Sequence, residues 1–118
     1  MQPKALLILA LSLLPFLGFA QPRTATYTAN LHGRQIKLKL AIGFSGSSQI
    51  QMGSVTYYAN SGHADASNHL MFQSRYIQKI EYFVLANIQD SHDKLPEVIT
   101  GKYYRGRNSV IIKFKLDK

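Results

Sequence analysis

Two histidines and an aspartate fall within the seven residues His63-Ala64-Asp65-Ala66-Ser67-Asn68-His69. Imidazole and carboxylate are ligands for Zn²⁺ or Cu²⁺, so His63, Asp65 and His69 are the residues here that could hold a metal. Their spacing matches no metal motif, and histidines in polar loops are ordinarily solvated, so no cofactor is expected. His92-Asp93 joins this set only if the fold brings two loops together. Nucleophilic catalysis has less to draw on. There is no cysteine, and Gly43-Phe44-Ser45-Gly46-Ser47 misses the Gly-x-Ser-x-Gly elbow. A glycosidase needs two acids flanking one bond. The acids are Asp65, Glu81, Asp90, Asp93, Glu97 and Asp117, and most fall in expected loops or at the chain end. The reading is of a protein that is not an enzyme.

The cations are the stronger signal. Lys37 and Lys39 alternate along one segment, and Lys113 and Lys115 along another. If these are neighbouring strands, four ammonium groups share one surface, which like-charge repulsion disfavours unless an anion is held there. If they lie apart, the lysines serve solubility and edge protection. Lys102, Arg105 and Arg107 form a second cluster interleaved with Tyr103 and Tyr104. Such a set can stack on rings and contact phosphate or sulfate. The competing reading turns one of these tyrosines into the core.

Strands must position these groups. In Ile36-Lys37-Leu38-Lys39-Leu40-Ala41-Ile42-Gly43-Phe44 the bulky apolar residues occupy the even positions. Val110-Ile111-Ile112-Lys113-Phe114-Lys115-Leu116 sets Val110, Ile112, Phe114 and Leu116 on one face. Period-two alternation gives each segment a buried and a wet face, as in antiparallel sheets. Thr24 to Leu31 reads as a strand entering a His32-Gly33-Arg34 turn. Gln49 to Tyr58 reads as one strand bulged at Gly53, a glycine that tolerates the kink. Leu70 to Tyr76, Glu81 to Ile88 and Glu97 to Tyr104 follow as strands, with Arg105-Gly106-Arg107-Asn108 turning into the last. Residues 75–89 also fit a helical face through Ile77, Ile80, Val84, Leu85 and Ile88. Tyr82, Phe83 and Val84 favour the strand. The expected fold is all-β, a single-domain antiparallel meander of six to eight strands forming a small barrel or sandwich.

The chain opens with an export pattern. Lys4 precedes an apolar run from Ala5 to Leu14 broken only by Ser12, then Pro15, then Gly18-Phe19-Ala20, with small residues where a signal peptidase cuts. Ala5 to Ala20 is sixteen residues, short of the roughly 18–20 that cross a bilayer as a helix. Residues 1–20 are therefore read as a signal helix and residues 21–118 as the all-β domain, with no membrane span after cleavage. Cleavage removes Lys4 alone, lowering the net charge from +8 to +7 and leaving 98 residues. That length is one domain, and without cysteine its folding rests on packing and hydrogen bonds. The expected location is the periplasm or the medium.

Tyr27, Gly33, Ile36-Leu38-Leu40, Gly53, Tyr57-Tyr58, Thr100-Gly101-Lys102-Tyr103 and Phe114-Leu116 give an order of turns and tyrosine-rich strands that resembles small exported all-β proteins of bacteria. Tyr103 stands where many of these carry a tryptophan. The resemblance implies a β-meander, barrel or sandwich and brings no catalytic residues. The expected function is a non-catalytic envelope binding protein whose basic sheet surface holds an anionic partner. The alternative is a small-ligand carrier with a lipocalin-like pocket, and a third class is an enzyme acting through the His63/Asp65/His69 loop. Nucleic acid suits the charge but not the compartment.

Overall fold

The computed structural model describes residues 23–75, 80–89 and 94–118. The expected signal peptide and the His92-Asp93 pair lie outside the described residues. Eight antiparallel strands run in chain order around a closed barrel: β1 (Arg23–Leu31), β2 (Arg34–Ile42), β3 (Gln49–Met52), β4 (Val55–Ala59), β5 (Leu70–Ser74), β6 (Glu81–Leu85), β7 (Val98–Arg105) and β8 (Asn108–Leu116). The all-β meander is thus present as a barrel. Each strand pairs with the next, and β1 closes on β8 through Tyr27↔Leu116 and Thr28↔Lys115.

The alternating strands do what their pattern requires. Ile36, Leu38 and Leu40 of β2, and Ile112 and Phe114 of β8, are buried, while Lys37, Lys39, Lys113 and Lys115 are exposed. Tyr27, Phe72, Phe83 and Phe114 are fully enclosed and fill the interior with Ile50, Leu85 and Ile99. Each large ring contributes on the order of 1.5–3 kcal/mol by leaving water. The Tyr27 hydroxyl keeps a partner by donating to the Pro96 carbonyl at 2.7 Å, and burial raises its pKa. The outward positions Thr24, Thr26 and Thr28 of β1 and the lysines of β2 are polar, the reverse of a lipid-facing barrel wall.

Three expectations change. Gln49 to Tyr58 is a hairpin, not one bulged strand: Gly53 has φ +61° and opens a two-residue turn with Met52 paired to Val55. A turn of that length needs positive φ, which glycine supplies without a Cβ clash. Phe44 falls beyond the end of β2 and is half exposed, with its ring set edge-on to His63 at 5.9 Å. Val110 is 38% exposed although it shares the inward face with Ile112, because the β7–β8 hairpin stands beyond the last rung between β1 and β8. Within the segment open to two readings, Glu81–Leu85 is strand.

An up-and-down meander places alternate turns at the same end. The turns β1–β2, β3–β4 and β7–β8 share one mouth with the start of β6. The segments 43–48, 60–69, 86–89 and 94–97 share the other. At that second end Gly46 approaches Gly62 so closely that a Cβ on Gly46 would stand 2.6 Å from its Cα.

Candidate functional site

The lysine face comes first, because charge pointed to it. β1 lies between β2 and β8, so the two lysine pairs are separated by one strand, about 10 Å at the usual spacing. Thr28 stands opposite Lys37 on one side and Lys115 on the other. Lys37 Nζ donates to Thr28 Oγ1 at 2.7 Å and reaches Asp117 Oδ2 at 3.1 Å. Thr28 in turn donates to Asp117 Oδ1 at 2.6 Å. These hydrogen bonds from Thr28 and then Lys37 hold the Asp117 carboxyl below its ordinary range. One of the four ammonium groups is therefore tied to an acid, and the others are spread rather than crowded. Lys113 faces Thr100, Lys115 faces Val98 and Lys102 faces Ile111 in the β7–β8 ladder. The result is a dilute basic face over β2, β1, β8 and β7.

The histidine loop is held by its own backbone. Asp65 Oδ1 accepts from the amides of Ser67 and His69, both at 2.9 Å. The bond from His69 is the main cause that lowers the Asp65 pKa. Its carboxylate thus ties down the turn, as short polar side chains do in Asx turns. Among the described residues no group of three or more histidines and acids is arranged to hold a metal.

The mouth concentrates polar chemistry instead. Tyr57 of β4 and Tyr103 of β7 point inward and pack on Phe83 between them, with centroids 4.9 and 5.0 Å away. Both phenols stand near enough to Glu81, at the start of β6, for its charge to act on them. Tyr57 Oη donates to Glu81 Oε2 at 3.1 Å. Burial, then the bond to Glu81, raises the Tyr57 pKa and pushes that of Tyr103 up to about 12. Arg105 Nε stands 3.7 Å from Glu81 Oε1. Arg34 acts on both phenols from the start of β2, opposing the rise. These groups open onto a pocket of about 520 Å³ lined by His32, Arg34, Glu81, Tyr103, Arg105 and Asn108. Leu31, Met52 and Val110 supply its apolar walls.

The Tyr57 phenol and the Arg105 guanidinium already serve the single carboxylate of Glu81. Arg34 adds a further positive charge, so the lining is net cationic. Guanidinium groups suit such a place because their planar fork matches carboxylate, phosphate or sulfate.

Of the residues singled out by sequence, the structure brings Tyr103 and Arg105 to this mouth. Arg107 sits in the adjoining turn, exposed. Tyr104 faces outward and stacks on Tyr82 at 4.7 Å. Lys37, Lys39, Lys102, Lys113 and Lys115 remain on the wall. Sequence reasoning missed Arg34, His32, Glu81, Asn108 and Tyr57. Their signal was positional: each lies in or beside a turn at the same end of the meander, or, for Tyr57, on β4, one strand removed from β6. No family model, no curated protein and no solved structure matches the chain.

Proposed function

We propose that this is a non-catalytic binding protein of the bacterial envelope that takes an acidic group of its partner into the barrel mouth between Arg34 and Arg105. One observation carries the reading. The barrel interior is filled by its own side chains, so the polar, cationic pocket lies at the rim, where Glu81 accepts from Tyr57 and pairs with Arg105. A filled interior argues against the carrier alternative, since small barrels packed this way leave no room for a ligand. The basic wall adds a long-range field that speeds the approach of an anion and weakens as salt rises. An enzyme acting through the His63 loop has less support, because Asp65 is occupied by backbone amides.

Calorimetric titration with inorganic phosphate tests the reading. Arg34→Gln or Arg105→Gln is expected to weaken binding about tenfold or more, the cost of losing a charged hydrogen bond. Removing Lys39 from the wall is expected to change affinity by much less. Equal loss from Lys39→Gln and Arg34→Gln would place the anion on the wall instead.

A further inference from the structure

The last rung between β1 and β8 is Thr28↔Lys115, yet β8 continues back to Asn108. Backbone groups alternate sides along a strand. The Leu116 amide donates to Glu97 O on the β7 side, and the Asp117 amide donates to Thr26 O on the β1 side. By that alternation Ser109, Ile111 and Lys113 turn their N–H and C=O toward β1; the register sets Lys113 opposite Asn30, near the end of β1, whereas Ser109 and Ile111 stand past Leu31, where β1 ends. Their neighbours Val110 and Ile112 pair with Tyr103 and Gly101 of β7. This stretch is also apolar and open: Ile111 is 66% exposed and Val110 38%. A free, β-branched edge is a template for another strand.

We propose that Ser109–Ile111 of β8 receives an extended acidic peptide by strand addition, with Val110 and Ile111 contacting its apolar side chains. Charge selects this occupant. Arg107 precedes the edge, Lys113 and Lys115 follow it, and Arg34 and Arg105 line the pocket that reaches Asn108 and Val110. A second copy fits poorly. Antiparallel pairing about Ile111 sets Lys115 of one copy opposite Arg107 of the other, and like charges facing each other destabilise a sheet. Two chains of net charge +8 also repel at longer range. The inference rests on the anion-holding mouth for part of its charge term, and it names the partner as polypeptide.

Amide hydrogen exchange by NMR tests it, with an alternating valine–glutamate peptide added to the protein. The amides of Ser109 and Ile111 are expected to exchange about tenfold more slowly, with Val110 and Ile112, already bonded to β7, changing least. A valine–glutamine peptide is expected to bind about tenfold more weakly, as loss of charge-assisted contacts requires. Ile111→Pro removes one edge N–H and none facing β7. It is expected to abolish peptide binding while leaving phosphate affinity at the mouth unchanged, and Ile111→Thr is expected to restore peptide binding. If Ile111→Pro does not fold, the exchange pattern of the unaltered protein decides. Phosphate binding without edge protection overturns strand addition and leaves the mouth standing. Edge protection without phosphate binding overturns the mouth alone. Protection that rises with protein concentration, in the absence of peptide, assigns the edge to a second copy and overturns the proposal.

Discussion

At the scale of single residues, Glu81 organises the mouth. A carboxylate at the end of a packed barrel needs partners: Tyr57 donates to it, Arg105 pairs with its charge, and Tyr103 stands beside it. The phenols donate only while protonated, which ties stability to alkaline pH. Tyr103 ionises near the ordinary tyrosine value of 10.0 when unfolded and at about 12 in the folded chain. Its contribution is therefore complete below pH 10 and is lost as pH rises through about 12. Tyr57 shifts in the same direction. Denaturant unfolding followed across this window is expected to show falling stability, with a shallower fall in the Tyr57→Phe/Tyr103→Phe double variant. Identical profiles for the two proteins would mean that the phenols carry no such linkage. The paired tyrosines were visible in the sequence as Tyr57-Tyr58 and Tyr103-Tyr104, but nothing there showed that Tyr57 and Tyr103 converge on one acid.

Among the elements, β2 and β8 were legible because a half-buried strand must alternate. Lysine at every second position leaves no other amphipathic reading of those segments. The β3–β4 hairpin was not legible, and the reason is parity. A strand bulged at Gly53 and a two-residue turn there shift the alternation alike, the turn by pairing Met52 with Val55 and Ile50 with Tyr57. The inward set thus changes from even to odd numbers, and a single glycine marks both a bulge and a turn. The mouth was hidden for a related reason: its residues lie far apart in the chain and meet only when alternate turns gather at one end. Gly101 of β7 shows how tightly the elements fit. A Cβ there would stand 2.6 Å from Leu85 Cδ2 and 2.7 Å from the Val84 carbonyl oxygen. Gly101→Ala is expected to cost about 1–3 kcal/mol, the usual penalty of overpacking a core. Thermal or denaturant unfolding measures this directly, and an unchanged midpoint would contradict the packing described for β6 and β7.

For the molecule as a whole, filling and charge decide where binding can occur. Tyr27, Phe72, Phe83 and Phe114 occupy the barrel axis, so closure of the sheet yields stability rather than a cavity. The excess of cations, readable from composition alone, divides between a diluted wall and a focused mouth. On the wall β1 keeps the lysine pairs apart, and Asp117 ties up Lys37. At the mouth Arg34 and Arg105 share an apolar-walled pocket with a single acid. The planar forks of two arginines flanking one concavity can grip an oxyanion from two sides, which single ammonium groups spread over an open sheet do not. An NMR titration of the protein with inorganic phosphate, recording which amides and guanidinium groups move, tests that contrast most directly. The account predicts saturable shifts centred on His32, Arg34, Tyr103, Arg105 and Asn108. Shifts centred on Lys39, Lys113 and Lys115, with the mouth unmoved, would contradict it.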